Sequence, residues 1–316
     1  MHPFRLQPTF SPRPWGRRSL LPWYTAAQTH TTPGPIGEAW LTGPETVALD
    51  GPHAGATLAD ITRDEPAALL GNWAPQNAAE HAAEFPLLIK LLFPDDKLSI
   101  QVHPNDEDAR AIGQPRGKTE CWYVVAAEPG ATVACGLMPG TQAEQMRGAV
   151  ANGTMEQLLR YIPVRVGDMV YVDAGTVHSI QHGVTLLETQ QTCDTTYRLY
   201  DYGRPRELHL EQALAVAKAE TAAGLVTPTE LAHGSRLIAQ RYFTVDRYPI
   251  AAGAGLTLHD AVGKPHALVA LRGHGSVLCD GVAVQLTAGS AVVVPASAGA
   301  LTIAADSDLE LIRSMP

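Results

Sequence analysis

Three features of the sequence predict a mainly β chain built from two β-barrels, the second a degenerate copy of the first, with a small helical portion. Short β-branched and apolar segments bounded by Gly, Pro and Asp recur over most of the chain. Helical apolar spacing is confined to a few stretches. An internal repeat is also visible: GDMVYVDAGTVH from Gly167 aligns with GSAVVVPASAGA from Gly289, setting Asp173 opposite Pro295 and His178 opposite Ala300. The copy has lost its histidine. The expected organisation is a first domain over 1–235 that keeps the chemistry and a C-terminal, degenerate β domain over 236–316.

Taken in order, the first forty residues are rich in Pro and Gly among apolar residues, which suits short edge strands and turns. LADITRDEPAALLGNW has helical spacing with a stop at Gly71, giving a helical insertion over about 54–74. FPLLIKLL from Phe85 and LSIQVHP from Leu98 read as strands around the turn at Asp95 and Asp96, and ECWYVVAA as the next strand, closed by EPGA. Thr141 and Glu144 have capping-box spacing, so 141–162 is expected to be helical up to Pro163. VRVGDMVYVDAGTVHSI then reads as strand, turn, strand, turn and strand start, followed by VTLLETQ and TTYRLYDY. A last helix is expected within 209–223, and short strands with turns at Gly253, Gly273, Gly281 and Gly289 complete the chain.

Composition narrows the function classes. The 316 residues are 45% hydrophobic, which suits packed globular units. No stretch approaches the roughly 20 apolar residues that span a bilayer, and no basic start precedes an apolar run, so a cytoplasmic location is expected. Cys121, Cys135, Cys193 and Cys279 lack paired metal-type spacing and read as reduced thiols. A formal charge of −9 argues against nucleic acid or an anionic membrane as partner, and requires that any anionic substrate meet a locally basic site. The oligomeric state is not legible.

Strand parity gathers the polar residues. Residues two apart share a face, so Ser99, Gln101 and His103 lie together, as do Lys118 and Glu120. An uncompensated polar group inside a barrel costs on the order of a few kcal/mol, so such a row requires a ligand, a metal or water. His178, at a strand start on the rim, completes a set of one carboxylate, two imidazoles and one amide. That set suits zinc, manganese, iron, cobalt or nickel, and leaves room for substrate oxygens.

GDMVYVDAGTVH resembles the second cupin motif, and LSIQVHP, GKTECWYV, AGTVHSI and ETQQTCDTTYRLYDYGRPRELH together resemble type I phosphomannose isomerases. IGEAWLTG and FPLLIKLL extend the likeness to most of Ile36 to His209. The resemblance implies two cupin-type (jelly-roll) barrels, the second without metal, and one divalent ion per chain, zinc, on Gln101, His103, Glu120 and His178. It implies that Arg198 is the active-site arginine, with Glu188 ahead of it, and that Lys90, Ser99, Lys118 and Arg204 lie on the phosphate side. The sequence departs from the cupin turn at Asp173, where proline is commoner.

The implied reaction interconverts mannose 6-phosphate and fructose 6-phosphate through an enediolate. Candidates for the base that moves the proton are Glu188, Lys118 and a metal-bound water. A cupin dioxygenase would leave the Lys and Arg set unexplained, and a non-catalytic sugar-phosphate sensor would not need an intact ligand set with Arg198.

Overall fold

The computed structural model describes residues 1–74, 84–259 and 262–316, and the chain folds into two compact units. One comprises Met1–Pro12, Arg18–Leu91 and Thr227–Pro316; the other comprises Arg13–Arg17 and Leu92–Val226. Neither unit is continuous in sequence, and most of the first ninety residues cluster with the C-terminal strands, unlike the linear 1–235 and 236–316 partition read from the sequence. Strand pairing is the reason. Phe4, Arg5 and Leu6 stand opposite Val293, Val292 and Ala291, and the buried Phe4 and Leu6 side chains hold the N-terminus to the far end of the chain.

The unit built around Leu92–Val226 carries the sequence blocks that matter for function. One sheet is ordered Tyr197–Tyr200, Ile100–Val102, His178–Ile180, Thr132–Leu137, Leu159–Pro163. The neighbouring strands Gly224–Val226, Met169–Val172, Glu120–Ala127 and Val184–Gln191 pair in that order, and the pairings are antiparallel. A shared core draws Val133, Cys135 and Ile180 from the first set and Trp122, Val124, Val170 and Leu186 from the second, with Trp15 and Leu98. Val184–Gln191 is buried at every position, as expected of a strand covered on both faces.

The other unit is likewise two-layered. Its larger sheet runs Thr229–Leu231, Gly234–Ala239, Thr244–Ile250, Leu309–Met315, His266–Arg272, Ala291–Val294, Phe4–Gln7, Val47–Ala48, and its smaller sheet runs Gly255–Leu258, Leu301–Ala305, His274–Cys279, Val282–Thr287. Leu268, Val292 and Leu311 meet Val277, Leu286 and Ile303 across the core. In the aligned repeat, Met169–Val172 coincides with Ala291–Val294, and each is followed by a turn and a further strand.

The helical stretches are shorter than expected. Leu58–Asp64 and Pro66–Leu70 form within 54–74, and the second ends at Gly71 with φ +58°, where an added Cβ would meet the Gly263 carbonyl oxygen at 2.9 Å. Within 141–162 only Ala143–Ala151 is α-helical and Met155–Leu158 is a 3-10 turn; Leu159–Pro163 is a strand, because Ile162 and Tyr161 pair with Val133 and Ala134. Gln142, not Thr141, is the N-cap, since the Thr141 hydroxyl donates to the Met138 carbonyl. The last helix covers Leu210–Val216 and stops short of Ala223. VRV at Val164–Val166 connects strands and is not one itself. Helix Asp106–Ala111 has no counterpart in the sequence reading; its Asn105 side chain accepts from the Glu107 and Asp108 amides.

Candidate metal centre

Parity along three strands brings the polar row together. His178 opens its strand and stands opposite Gln101 on one side and Cys135 on the other. Glu120 opens the strand Glu120–Ala127 in the opposing layer. His103 Nε2 lies 3.5 Å from Glu120 Oε2, and His178 Nε2 lies 3.5 Å from Glu120 Oε1. Ligand atoms of His103, Glu120 and His178 all fall within 4.8 Å of one another, and all three residues are buried.

Backbone carbonyls set the tautomers. His103 Nδ1 is 3.0 Å from the Thr195 oxygen and His178 Nδ1 is 2.9 Å from the Thr176 oxygen. A carbonyl only accepts, so each Nδ1 carries the proton and each Nε2 presents a lone pair toward the carboxylate. Burial lowers the His178 pKa to about 4, which keeps that ring neutral. Lone pairs and a carboxylate facing one another repel unless a cation lies among them. Donors about 2.0–2.2 Å from a tetrahedral ion stand roughly 3.3–3.6 Å apart, and the two imidazole–carboxylate separations match that spacing. Among the described residues, Glu120 Oε2 accepts no hydrogen bond, which leaves it to ionic partners. The cluster could hold a metal ion.

Gln101 borders the cluster. Its Nε2 is 3.3 Å from His178 Nε2, and its Oε1 accepts from Ser99 Oγ at 3.0 Å. Ser99 is thereby linked to the cluster through Gln101. Lys118 Nζ is 3.3 Å from Glu120 Oε2, as the shared strand face predicts. The Trp122 indole N–H is shared between Glu120 Oε1 at 3.1 Å and Glu188 Oε1 at 3.2 Å, because Glu188 stands opposite Trp122 in the ladder. Lys118 and Glu188 both act electrostatically on His178, with opposite signs.

The arginines differ in their commitments. Arg198 stands opposite Gln101, and its Nη1 donates to the Glu207 carbonyl at 2.6 Å. Burial and the like charges of Arg206 and Arg13 lower its pKa, against the opposing fields of Asp201 and Glu207. Arg204 is held by Asp96, by Asp201 at 3.1 Å and by the Lys97 carbonyl at 2.9 Å. Phosphate binding by Arg204 would compete with those carboxylates. Lys90 belongs to the other compact unit, where its buried Nζ lies 3.9 Å from Glu38 and 4.5 Å from the Trp40 ring centroid.

Several participants were missed by the sequence reading. Trp122 is given no role there, yet its indole links two carboxylates. Gln190 stands opposite Glu120, fully buried, with its Nε2 donating to the Gln191 carbonyl at 3.0 Å. The parity of Glu188 and Gln190 was the signal that could have found it.

Comparisons with known proteins agree on the family. Residues 3–130 match the model of the phosphomannose isomerase type I catalytic domain. The chain is 33% identical over 293 residues to a mannose-6-phosphate isomerase of Streptococcus mutans, covering 88% of each. It is 32% identical over 321 residues to one of Bacillus subtilis, covering 94% of each. The crystal structure of the mannose 6-phosphate isomerase from Bacillus subtilis superposes with a TM-score of 0.83 at 28% identity, over 99% of both chains. The chain belongs to the type I phosphomannose isomerase family.

Proposed function

We propose that the protein is a metal-dependent aldose-ketose isomerase that interconverts mannose 6-phosphate and fructose 6-phosphate, with zinc held by His103, Glu120, His178 and the more weakly donating Gln101. The observation that carries this reading is the convergence of two Nε2 lone pairs and one carboxylate within 4.8 Å, in a member of this isomerase family. A bound ion supplies Lewis acidity that stabilises negative charge developing on a substrate oxygen in the enediolate. A half-turn of the Gln101 amide exchanges its oxygen and nitrogen without changing shape, so that oxygen faces the cation and nitrogen faces Ser99.

The chain's own groups perform the rest. Glu188 and Lys118 flank the cluster and are its candidate side chains for moving the proton between carbons one and two; such help is typically worth about 100 to 10,000-fold. The indole N–H donates to Glu188 and orients its carboxylate. Arg198, one strand from Gln101, adds positive charge close to the reacting end. Ser99, Lys90 and Arg204 are assigned to substrate binding, with Arg204 exchanging a carboxylate partner for phosphate. A cytoplasmic location fits four buried cysteines present as free thiols.

The test is a coupled assay of mannose 6-phosphate conversion, with elemental analysis of the protein before and after chelation. Turnover that chelator abolishes and zinc restores supports the reading. Metal-loaded protein without turnover overturns it.

A further inference from the structure

The strand Tyr197–Tyr200, which carries Arg198, is an edge strand of its sheet, and its register against Ile100–Val102 shifts between Arg198 and Tyr200. Leu199 packs with Ile100, Val102 and Ala213, so Arg198 and Gln101, opposite one another in the ladder, share the other face. On an edge strand the backbone groups that point away from the neighbouring strand need partners of their own. Those of Arg198 find both in one residue: its amide donates to His209 Nδ1 at 3.2 Å, and its carbonyl accepts from the His209 amide at 2.7 Å. The imidazole thus stands where the carbonyl of a further strand would stand. An amide N–H only donates, so Nδ1 is unprotonated and the ring proton is on Nε2.

The chain returns to this point because the buried Asp201 binds Arg206 through two contacts of 2.6 Å and Arg204 at 3.1 Å, which folds the intervening segment back. Helix Leu210–Val216 then starts at His209, with the Ala213 amide on the His209 carbonyl at 2.8 Å. His209 occupies the N-cap, where Ser, Thr, Asp or Asn usually turns a side-chain oxygen back to the first amides. Its ring makes no such bond among the described residues and is committed to Arg198 instead. The same segment takes the other end of Arg198: Nη1 donates to the Glu207 carbonyl at 2.6 Å, while the buried Nε has no hydrogen-bond acceptor among the described residues. Residues 207–209 therefore hold both the backbone and the guanidinium of Arg198.

We infer that His209 is a positioning residue that sets the placement of Arg198, through the hydrogen bond its ring accepts from the Arg198 amide. The inference rests on the isomerase reading above, in which Arg198 adds positive charge at the reacting end. That contribution depends on where the guanidinium stands in the transition state, and a displacement of about 1 Å can cost on the order of 100-fold. Loss of the ring acceptor should therefore appear in kcat rather than in KM.

His209→Ser and His209→Asn separate this role from helix capping. Serine and asparagine are equally good N-caps, but the serine hydroxyl is one bond too short to reach the amide, whereas the asparagine oxygen lies as many bonds from Cα as Nδ1 does. In metal-loaded protein, with metal content and Tm measured on each variant, His209→Ser is expected to lower kcat for mannose 6-phosphate roughly 10 to 100-fold with KM within about threefold, and His209→Asn to recover most of the loss. Wild-type kcat in His209→Ser overturns the inference, as does an equal loss in both variants. A wild type without turnover instead fails the isomerase reading, and hydrogen exchange at the Arg198 amide, followed by NMR, then decides the contact. Exchange that is roughly tenfold or more faster in His209→Ser, and not in His209→Asn, supports it; equal exchange in wild type and His209→Ser overturns it.

Discussion

His178 shows how one side chain couples folding, pH and metal binding. Its ring is buried, its Nδ1 is committed to the Thr176 carbonyl, and its pKa falls to about 4 from an ordinary 6.5. Between those values the unfolded chain binds a proton that the folded chain does not, so acidification favours unfolding. The contribution is fully present above pH 6.5 and is lost as pH falls toward about 4, amounting to ~3 kcal/mol at most. Chelator-treated protein should therefore lose urea stability steadily across that window, and His178→Asn should flatten the slope. A second expectation separates the two candidate bases. Glu188→Gln keeps the indole contact and the metal ligands, so if Glu188 moves the proton, kcat falls roughly 100 to 10,000-fold with metal content unchanged. Near-normal kcat in that variant excludes Glu188, and Lys118→Met then tests Lys118 in the same way.

At the scale of elements, the ligands depend on how the segment between Ile100–Val102 and Glu120–Ala127 is folded back. Pro104 accepts from the Lys118 amide at 3.0 Å, and Asp106 Oδ1 accepts from the Gly117 amide at 2.9 Å and from Gln191 Nε2 at 3.0 Å. Helix Asp106–Ala111, capped by Asn105, therefore clamps the approach to Lys118 and Glu120. Gly117 is required by that approach: a Cβ there would lie 2.4 Å from the Asn105 carbonyl carbon and 2.6 Å from the Pro104 oxygen. Both are backbone atoms and cannot rotate aside. Gly117→Ala is expected to destabilise the protein by about 1–3 kcal/mol and to displace Glu120. Lower metal content per chain and a lower Tm in the same preparation would show it. Asn105→Ala should cost about 1 kcal/mol through the lost cap, with metal retained at saturating zinc.

At the scale of the whole molecule, the compact units are not consecutive segments. The C-terminal β unit uses Phe4–Gln7 as a strand beside Ala291–Val294, with Val47–Ala48 beyond it. Arg5 adds a paired contact, its Nε and Nη2 each 2.8 Å from Asp50, which the guanidinium holds below the usual carboxylate range. A fragment of residues 236–316 expressed alone therefore lacks Phe4–Gln7, Val47–Ala48 and Thr229–Leu231 of its own sheet and is expected to be insoluble or without a cooperative thermal transition. Phe4→Ala in the full chain should cost about 3–5 kcal/mol, as for other large buried aromatics. Cooperative folding of the isolated fragment, or a Tm for Phe4→Ala equal to wild type, would contradict this account of the N-terminal strand.

Read by itself, the sequence determined the mainly β class, the repeat around Gly167 and Gly289, and the grouping of His103, Glu120 and His178. Those properties are local: alternation, turn residues and i, i+2 parity act over a few positions, and Ser99, Gln101 and His103 share a face wherever the strand is placed. Tertiary structure alone decided the rest. Tyr161 and Ile162 form a strand despite a helical neighbourhood because Ala134 and Val133 offer them a ladder. Trp122 bridges Glu120 and Glu188 because two strands meet in one register. Arg204 is drawn to Asp96 and Asp201 while Arg198 keeps no carboxylate within 4.0 Å among the described residues, a difference set by where distant loops meet. Charge balance, ladder register and the membership of the N-terminal strand all depend on contacts between residues far apart in the chain, and no short-range pattern encodes them.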